Sequence, residues 1–256
     1  MSLPQTSASE AYSACSTGSA LPLSDSGASC DSDNLSATSV PKNIPQLQLS
    51  EFRELKKIAS GGFSKVYRAL HVPSSADVNN SKSEYVALKV LNLGGIEMHQ
   101  NQSVMAELQL QYKLRSPYVV RCRGTLTNSP TAFNAEVNAI SDGLVSEFEN
   151  KFVIVMEYCE GGSLKELLTH PEYRTLSREA RVWFAQQVSR AVLALSIENV
   201  VHGDLKALNF VWGVEAQDTR PSVKVSDFGN SKLHETARSL SVTPGTFNID
   251  ELISIF

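Results

Sequence analysis

The sequence predicts an α+β protein with a small sheet-rich lobe followed by a more helical lobe. Short apolar runs bounded by turn residues, typical of strands, occupy much of the stretch from about Leu49 to Met156. Apolar residues at the three- and four-residue spacing of a buried helix follow between Phe184 and Leu195. A hydrophobic content of 42% in 256 residues is enough for a substantial core.

The beginning of the chain differs in composition from the rest. From Met1 to about Pro45, Ser, Ala, Thr, Gly and Asp dominate, and few large apolar residues are available to offset the entropy of ordering. We therefore predict a disordered Ser-rich tail over 1–48 and a folded domain over 49–256. The lobe boundary is predicted near residue 157.

Charge and composition exclude several classes of partner. A net charge of -4 with no Lys/Arg cluster gives no footprint for nucleic acid or for acidic lipid. No apolar run is long enough to span a bilayer, and the start MSLPQTSASE lacks a signal-peptide pattern, so a cytosolic or nuclear protein is expected. The four cysteines lack paired spacing and are predicted to be free thiols; they are Cys15, Cys30, Cys122 and Cys159.

The first lobe begins with a predicted hairpin around the turn Ser60-Gly61-Gly62. A polar loop over 72–84 leads to the apolar strand Tyr85 to Leu91. A helix from about Gln100 to Leu114 comes next. It ends before Pro117, because Pro cannot continue the hydrogen-bond ladder.

Two more strands complete the predicted first lobe, Tyr118 to Leu126 and Phe152 to Met156. The long polar insertion between them, Thr127 to Lys151, indicates a mobile loop. In the second lobe, Ser177 is placed to cap the long helix. Short strands near Phe210 to Trp212 and Ser222 to Val225 follow the helix.

The hairpin tip is a candidate phosphate-binding loop, since small residues let backbone N–H groups approach an anion closely. Its candidate residues are Ile58, Ala59, Ser60, Gly61, Gly62, Phe63, Ser64, Lys65 and Val66. An ordinary hairpin explains the same letters if nothing else follows.

In the strand Val86-Ala87-Leu88-Lys89-Val90, side chains alternate between two faces, so Ala87 and Lys89 share one. Ala87 leaves room for an adenine ring, and Lys89 can reach the phosphates. A carboxylate of the following helix, Glu107, is placed to hold that ammonium. The alternatives are a solvent-exposed edge-strand Lys and a plain surface Glu.

The most specific pattern is His202-Gly203-Asp204-Leu205-Lys206-Ala207-Leu208-Asn209 followed by Asp227-Phe228-Gly229. Phosphoryl transfer needs an aligned hydroxyl and neutralised charge. Asp204 is the candidate to accept or orient the hydroxyl proton, and Lys206 to steady the phosphoryl group. Asn209 and Asp227 supply hard oxygens for Mg²⁺. The alternative is that both carboxylates only cap turns.

These motifs, in this order, make residues 49 to about 246 resemble a eukaryotic-type protein kinase domain. The resemblance implies a two-lobed fold that transfers phosphate from ATP, with Mg²⁺, to protein substrates. Lys206 favours the Ser/Thr type, and Ser60 to Val66 with Asn209-Phe210 are similar to the TTK-type dual-specificity spindle-checkpoint kinases. The resemblance to a protein kinase domain also implies that Met156 is the gatekeeper and that backbone groups of Glu157 and Cys159 bind adenine. It implies further that Val211 lines the nucleotide site.

Three features depart from the family pattern. Gly203 replaces a common Arg, which makes control by a phosphorylated activation loop doubtful. Gln111 occupies a usually apolar position. After Thr243 to Asn248, Ile249 to Phe256 replace the expected continuation, which predicts a truncated helical second lobe and a weakly active or unstable chain. The rival hypothesis is therefore a truncated pseudokinase or nucleotide-binding scaffold that regulates a partner.

Overall fold

The computed structural model describes residues 40–62, 64–73, 82–92, 102–126, 147–148, 151–171, 175–214 and 220–233. The predictions for residues 1–39, for most of the loop 72–84 and for the segment Thr243 to Phe256 lie outside the described residues. In the part of the chain that the structure describes, no helix is long and apolar enough to cross a membrane.

The first lobe is built on one twisted sheet of six described strands. They are β1 (Gln46–Leu47), β2 (Phe52–Ser60), β3 (Ser64–His71), β4 (Glu84–Leu91), β5 (Cys122–Leu126) and β6 (Phe152–Glu157), in the spatial order β1-β5-β6-β4-β3-β2. The pairs are antiparallel except β1 with β5, which is parallel. Helix α1 (Gln102–Lys113) packs on this sheet near β5.

The predicted alternation of β4 is confirmed by the two buried clusters on either side of the sheet. Val86, Leu88 and Val90 belong to one cluster, whereas Ala87 belongs to the other, which includes apolar residues of α1. The face that carries Ala87 is therefore the face that looks toward the helix. This arrangement places the odd-numbered side chains of β4 beside the helix.

The ordered structure begins before the boundary predicted at residue 49. Ile44 is only 3% exposed, and β1 pairs with β5 at Gln46 and Leu47. The prediction of a disordered tail is therefore wrong for residues 40–48. Ile44 and Leu47 supply the apolar surface that orders this stretch, because each is covered by the sheet lobe.

The predicted strand Tyr118 to Leu126 is two separate pieces. Only Cys122–Leu126 joins the first-lobe sheet, whereas Val119 forms a parallel bridge with Val225 of the second lobe. The Val120 N–H donates to Val225 O at 2.9 Å, and the Val225 N–H donates to Tyr118 O at 2.9 Å. The backbone of this stretch is thus satisfied by the other lobe and joins the two.

Part of the insertion predicted as a mobile loop is packed in the core. Phe148 is 3% exposed, and its ring centroid lies 5.0 Å from that of Tyr67. The neighbouring Glu147 Oε2 accepts a 2.5 Å hydrogen bond from Lys65 Nζ. Most of Thr127 to Lys151 lies outside the described residues.

The second lobe contains short strands and two described α-helices. The elements are β7 (Gly162–Ser163), α2 (Leu164–Thr169), α3 (Arg178–Ile197), β8 (Val200–Val201), β9 (Phe210–Val214), β10 (Pro221–Val225) and β11 (Lys232–Leu233). The predicted cap of α3 is confirmed, since Ser177 Oγ accepts from the Ala180 N–H at 3.2 Å. Phe184, Ala191 and Leu195 are buried, as the helical spacing predicts.

Two of the four cysteines are described, and both are free thiols, as predicted. Cys122 is 1% exposed, and its burial raises the pKa of its thiol to about 11. This thiol is therefore protonated and unreactive at neutral pH. Cys15 and Cys30 lie outside the described residues.

Candidate functional site

The predicted pair of Lys89 and Glu107 lies at the interface of β4 and α1. Lys89 Nζ donates a 2.9 Å hydrogen bond to Glu107 Oε1, and their side chains are only 10% and 9% exposed. Burial opposes the charge on Lys89, but Glu107 and then Asp227 outweigh it and raise the pKa of the ammonium. Lys89 is therefore a fixed cation inside the cleft at neutral pH.

The same ammonium also binds Asp227, which follows β10. Lys89 Nζ lies 2.9 Å from Asp227 Oδ1, and half of the Asp227 side chain is exposed. Desolvation would raise the pKa of Asp227, but the Lys89 charge outweighs it and the pKa is lowered. Asp227 adopts φ 63°, a strained conformation for a residue other than glycine, which is typical of functional sites.

Asp204, Lys206 and Asn209 form a second polar group on the loop after β8. Lys206 Nζ donates to Asp204 Oδ2 at 2.6 Å. The Asn209 amide nitrogen donates to the Asp204 carbonyl at 2.8 Å and to its Oδ2 at 3.2 Å. These bonds fix the Asp204 carboxylate in one orientation.

The two polar groups are joined through Ser226, the residue before Asp227. Its N–H and Oγ donate to the Asn209 carbonyl at 2.8 and 3.0 Å. The structure thus connects Glu107, Lys89 and Asp227, through the neighbouring Ser226, to Asn209 and Asp204. The alternative that the two Asp residues only cap turns does not explain their bonds to lysines.

His202 is a site residue that the sequence reasoning did not assign. Its Nε2 donates to Ser226 O at 3.0 Å, and its Nδ1 accepts from the Asp204 N–H at 3.4 Å. This set of partners selects the neutral Nε2–H tautomer. Burial lowers the pKa of His202, and its ring lies 5.1 Å from that of Phe228. His202 therefore connects the Asp204 loop to the Asp227 segment.

An apolar cluster includes residues on the same face of β4 as Lys89. Ala87 and Met156 are buried in one cluster, and Val66, Cys159 and Val211 pack against it. Five residues predicted to contact the nucleotide base therefore border a single apolar region. A flat aromatic ring is the kind of ligand such a region accepts.

The hairpin between β2 and β3 leads into Val66, which packs against this apolar cluster. Ile58, Ala59, Ser60, Gly61 and Gly62 are exposed, and Ser64, Lys65 and Val66 are partly buried in β3. The Gly61 N–H donates to Ser64 O at 2.8 Å and closes the turn. Phe63 lies outside the described residues.

The segment that links the lobes begins at Glu157. Its N–H donates to Arg121 O at 2.9 Å, and its side chain forms an ion pair with Lys224 of β10. Lys224 is 7% exposed. No sequence pattern predicts this pair, because its two residues lie on strands of different lobes.

Two of the departures from the family pattern have a structural explanation. Gly203 has φ +79°, and a Cβ there would lie 2.7 Å from Asn230 O, so a side chain is strained at this position. Gln111 is 1% exposed and its Nε2 donates to Val120 O at 3.4 Å. The buried amide is thus partnered within the first lobe.

Asn209 and Asp227 would bind a divalent cation only together with further oxygen atoms, such as those of phosphates. Among the described residues, no group of three or more His, Cys, Asp or Glu side chains could hold a metal ion. Asp227 contributes a carboxylate, and Asn209 can contribute only its amide oxygen, because its nitrogen is bonded to Asp204. Mg²⁺ is commonly bound in this way, through one or two side chains plus phosphates.

The described residues combine a two-lobed fold with a lysine paired to two carboxylates and a loop of bonded polar side chains, which are groups that phosphoryl transfer uses. The protein kinase domain model matches residues 52–249. The chain therefore belongs to the protein kinase family, whose members use ATP and a divalent metal.

Similar curated proteins bear the names of protein kinases, at modest identity. A probable serine/threonine-protein kinase of Dictyostelium discoideum is 25% identical over 72% of this chain and 30% of its own length. Mitogen-activated protein kinase kinase 9 of Arabidopsis thaliana is 26% identical over 83% of this chain and 56% of its own length. A probable serine/threonine-protein kinase of Caenorhabditis briggsae is 27% identical over 77% of this chain and 23% of its own length.

The chain thus spans about a third of the first of these relatives and about half of the second. The Ser/Thr character implied by Lys206 agrees with the names of the Dictyostelium and Caenorhabditis relatives. The resemblance to the TTK-type dual-specificity kinases is not confirmed by these relatives.

Proposed function

We propose that this protein transfers the γ-phosphate of ATP to Ser or Thr hydroxyls of protein substrates. The observation that supports the proposal is the hydrogen-bonded connection of Lys89, Asp204, Asn209 and Asp227, together with an apolar cluster that shares a face of β4 with Lys89. Positioning and charge neutralisation are the main demands of phosphoryl transfer. Each demand has a residue in this connected group.

The chain's residues hold the nucleotide at both ends. Ala87 and Val211 would contact the adenine ring, and backbone groups of Glu157 and Cys159 would hydrogen-bond to it. Lys89 binds the phosphates, and Glu107 keeps its ammonium pointed into the cleft through the 2.9 Å bond. The exposed tip of the hairpin would lie over the phosphates, where the Gly62 amide is a candidate donor because the Gly61 N–H is already bonded to Ser64 O.

The acceptor hydroxyl is aligned by Asp204. Its carboxylate is fixed by Asn209 and lies 2.6 Å from Lys206 Nζ, so it is oriented to accept a hydroxyl proton while Lys206 offsets phosphate charge. We propose Mg²⁺ as the divalent metal, held by Asn209 and Asp227. When bound, it neutralises charge on the phosphate oxygens.

The scaffold alternative is not favoured. A nucleotide-binding scaffold has no need for an oriented Asp204 carboxylate with a lysine partner, yet both are present and bonded. The relatives bear the names of kinases, which supports the same choice.

The test is transfer of radiolabelled phosphate from ATP to a generic Ser/Thr protein substrate. Asp204→Asn should lower transfer by about 100-fold or more, the usual contribution of a general base. Glu198→Gln, an equally isosteric change at an exposed position, should leave transfer unchanged. Undiminished transfer by Asp204→Asn would overturn the assignment. No transfer by any variant, with Mg²⁺-ATP still raising the Tm, would support the scaffold.

A further inference from the structure

We propose that residues 40–47, here called the strap, position helix α1, and that Ile44 is a positioning residue for the Lys89–Glu107 pair. The strap precedes the residues 52–249 that match the protein kinase domain. Its effect on catalysis rests on the proposed function. Its effect on the helix does not, and can be measured separately.

The strap has a defined path along the edge of the first-lobe sheet. A turn is closed by the Ile44 N–H, which donates to Pro41 O at 2.9 Å. The Thr125 N–H then donates to Pro45 O at 2.9 Å, and Gln46 and Leu47 pair in parallel with Thr125 and Leu126. The strap is therefore attached to β5 by backbone hydrogen bonds.

Ile44 and one face of α1 belong to the same apolar cluster. Ile44 is buried in this cluster together with Val104, Met105 and Leu108, which lie at the three- and four-residue spacing of one helix face. Val40 packs against that cluster from the start of the strap. The apolar face of α1 thus belongs to a cluster that includes residues from outside the family match.

The strand β5 is shaped to receive the strap. A Cβ on Gly124 would lie 2.4 Å from Pro45 O and 3.2 Å from Pro45 Cβ. Only glycine lets the backbone of the strap approach this closely. Gly124 belongs to β5 and not to the strap. Its substitution is therefore a second, independent way to disturb the strap.

The helix needs this support for a physical reason. A 12-residue helix is marginal on its own, so its position is set by the packing of its apolar face. Because Glu107 projects from α1, movement of the helix lengthens the 2.9 Å bond that holds Lys89. Misplacement of a positioning group by about 1 Å can lower a rate on the order of 100-fold.

The first test uses hydrogen exchange of the α1 amides in the full 256-residue chain, without substrate. Ile44→Ala and Gly124→Ala should each speed exchange of the amides of residues 102–113 by about tenfold. Ile44→Val, which keeps most of the side chain, should restore slow exchange and guards against a variant that fails to fold. Leu49→Ala is the matched control, since Leu49 is 5% exposed but belongs to the cluster on the other sheet face.

Leu49→Ala should lower the Tm about as much as Ile44→Ala but leave exchange in α1 unchanged. Equal acceleration by Leu49→Ala, or none by Ile44→Ala and Gly124→Ala, would overturn the strap proposal. These readouts do not depend on phosphate transfer, so failure of the proposed function can be recognised separately.

The second test asks whether the strap acts through Glu107. Ile44→Ala should lower kcat on the order of tenfold with a smaller change in the KM for ATP, because phosphate positioning rather than the base pocket is disturbed. In a Glu107→Gln background the same substitution should have little further effect. Additive losses in the double variant would contradict a positioning role.

Discussion

Glu107 accepts a 2.9 Å hydrogen bond from Lys89, although the two residues come from a helix and a strand that are separated in the chain. Both side chains are nearly inaccessible to solvent. The pair is therefore dry and fixed, and it is the point at which the first lobe controls the chemistry of the cleft. Its removal should affect transfer more than stability, because Asp227 still accompanies the buried ammonium.

We expect Glu107→Gln to reduce phosphate transfer by roughly 10- to 100-fold, since the freed lysine no longer points at one place. The change should appear mainly in kcat. Steady-state kinetics with Glu166→Gln as a control separates this from a general effect, because Glu166 only caps helix α2. Equal activity of Glu107→Gln and wild type would show that the pair has no part in transfer.

Acid should destabilise the folded protein through His202. The ordinary pKa of histidine is 6.5, and burial lowers the pKa of His202 in the folded state. Above about pH 6.5, His202 is neutral in both the folded and the unfolded protein. Below that pH, the imidazole is protonated in the unfolded chain but stays neutral in the folded protein until its lowered pKa is reached. Stability should thus fall as pH drops from 6.5, by at most roughly 1.4 kcal/mol per pH unit.

Urea unfolding at pH 7.5 and pH 5.5 measures this loss. His202→Gln should be less stable at pH 7.5, because hydrogen bonds to Ser226 and Asp204 are disturbed. It should also lose less stability between the two pH values. Equal losses in the two proteins would assign the acid sensitivity to other groups.

Gly203 should not tolerate a side chain. Gly203→Ala forces a non-glycine residue to φ +79° with its Cβ 2.7 Å from Asn230 O, and should cost about 1–3 kcal/mol. Gly62→Ala is the control, because nothing lies within 4 Å of its Cβ position. Equilibrium urea unfolding of both variants makes the comparison; similar losses in both would argue against strain at Gly203.

The pair of Lys224 and Glu157 should hold the segment between the lobes in place. Lys224→Met leaves a carboxylate that is 22% exposed without this cation, and should destabilise the protein by about 3 kcal/mol. Lys224→Met combined with Glu157→Gln should lose less than the sum of the two single changes. Denaturant unfolding of the four proteins gives the coupling energy, and a value near zero would contradict the pair's role.

Local sequence patterns predicted most of the strands and the long helix, and they picked out Lys89, Glu107 and Asp227, which the structure joins by hydrogen bonds. Alternation in β4 and the Ser177 cap are local signals, and the structure follows both. The strap was missed because Ile44 and Leu47 are isolated apolar residues in a polar stretch. The split of Tyr118 to Leu126 was missed because backbone pairing with Val225 leaves no trace in composition.

By itself, the sequence determined which chemical groups the protein has and in what order, because hydrophobic period, turn residues and motif spacing are local properties. Only the tertiary structure decided which groups meet. Lys89 binds Asp227 across 138 residues, and Glu157 binds Lys224 across 67. Such partners are chosen by how the lobes pack and by the need to pair buried charge, which no stretch of sequence encodes alone.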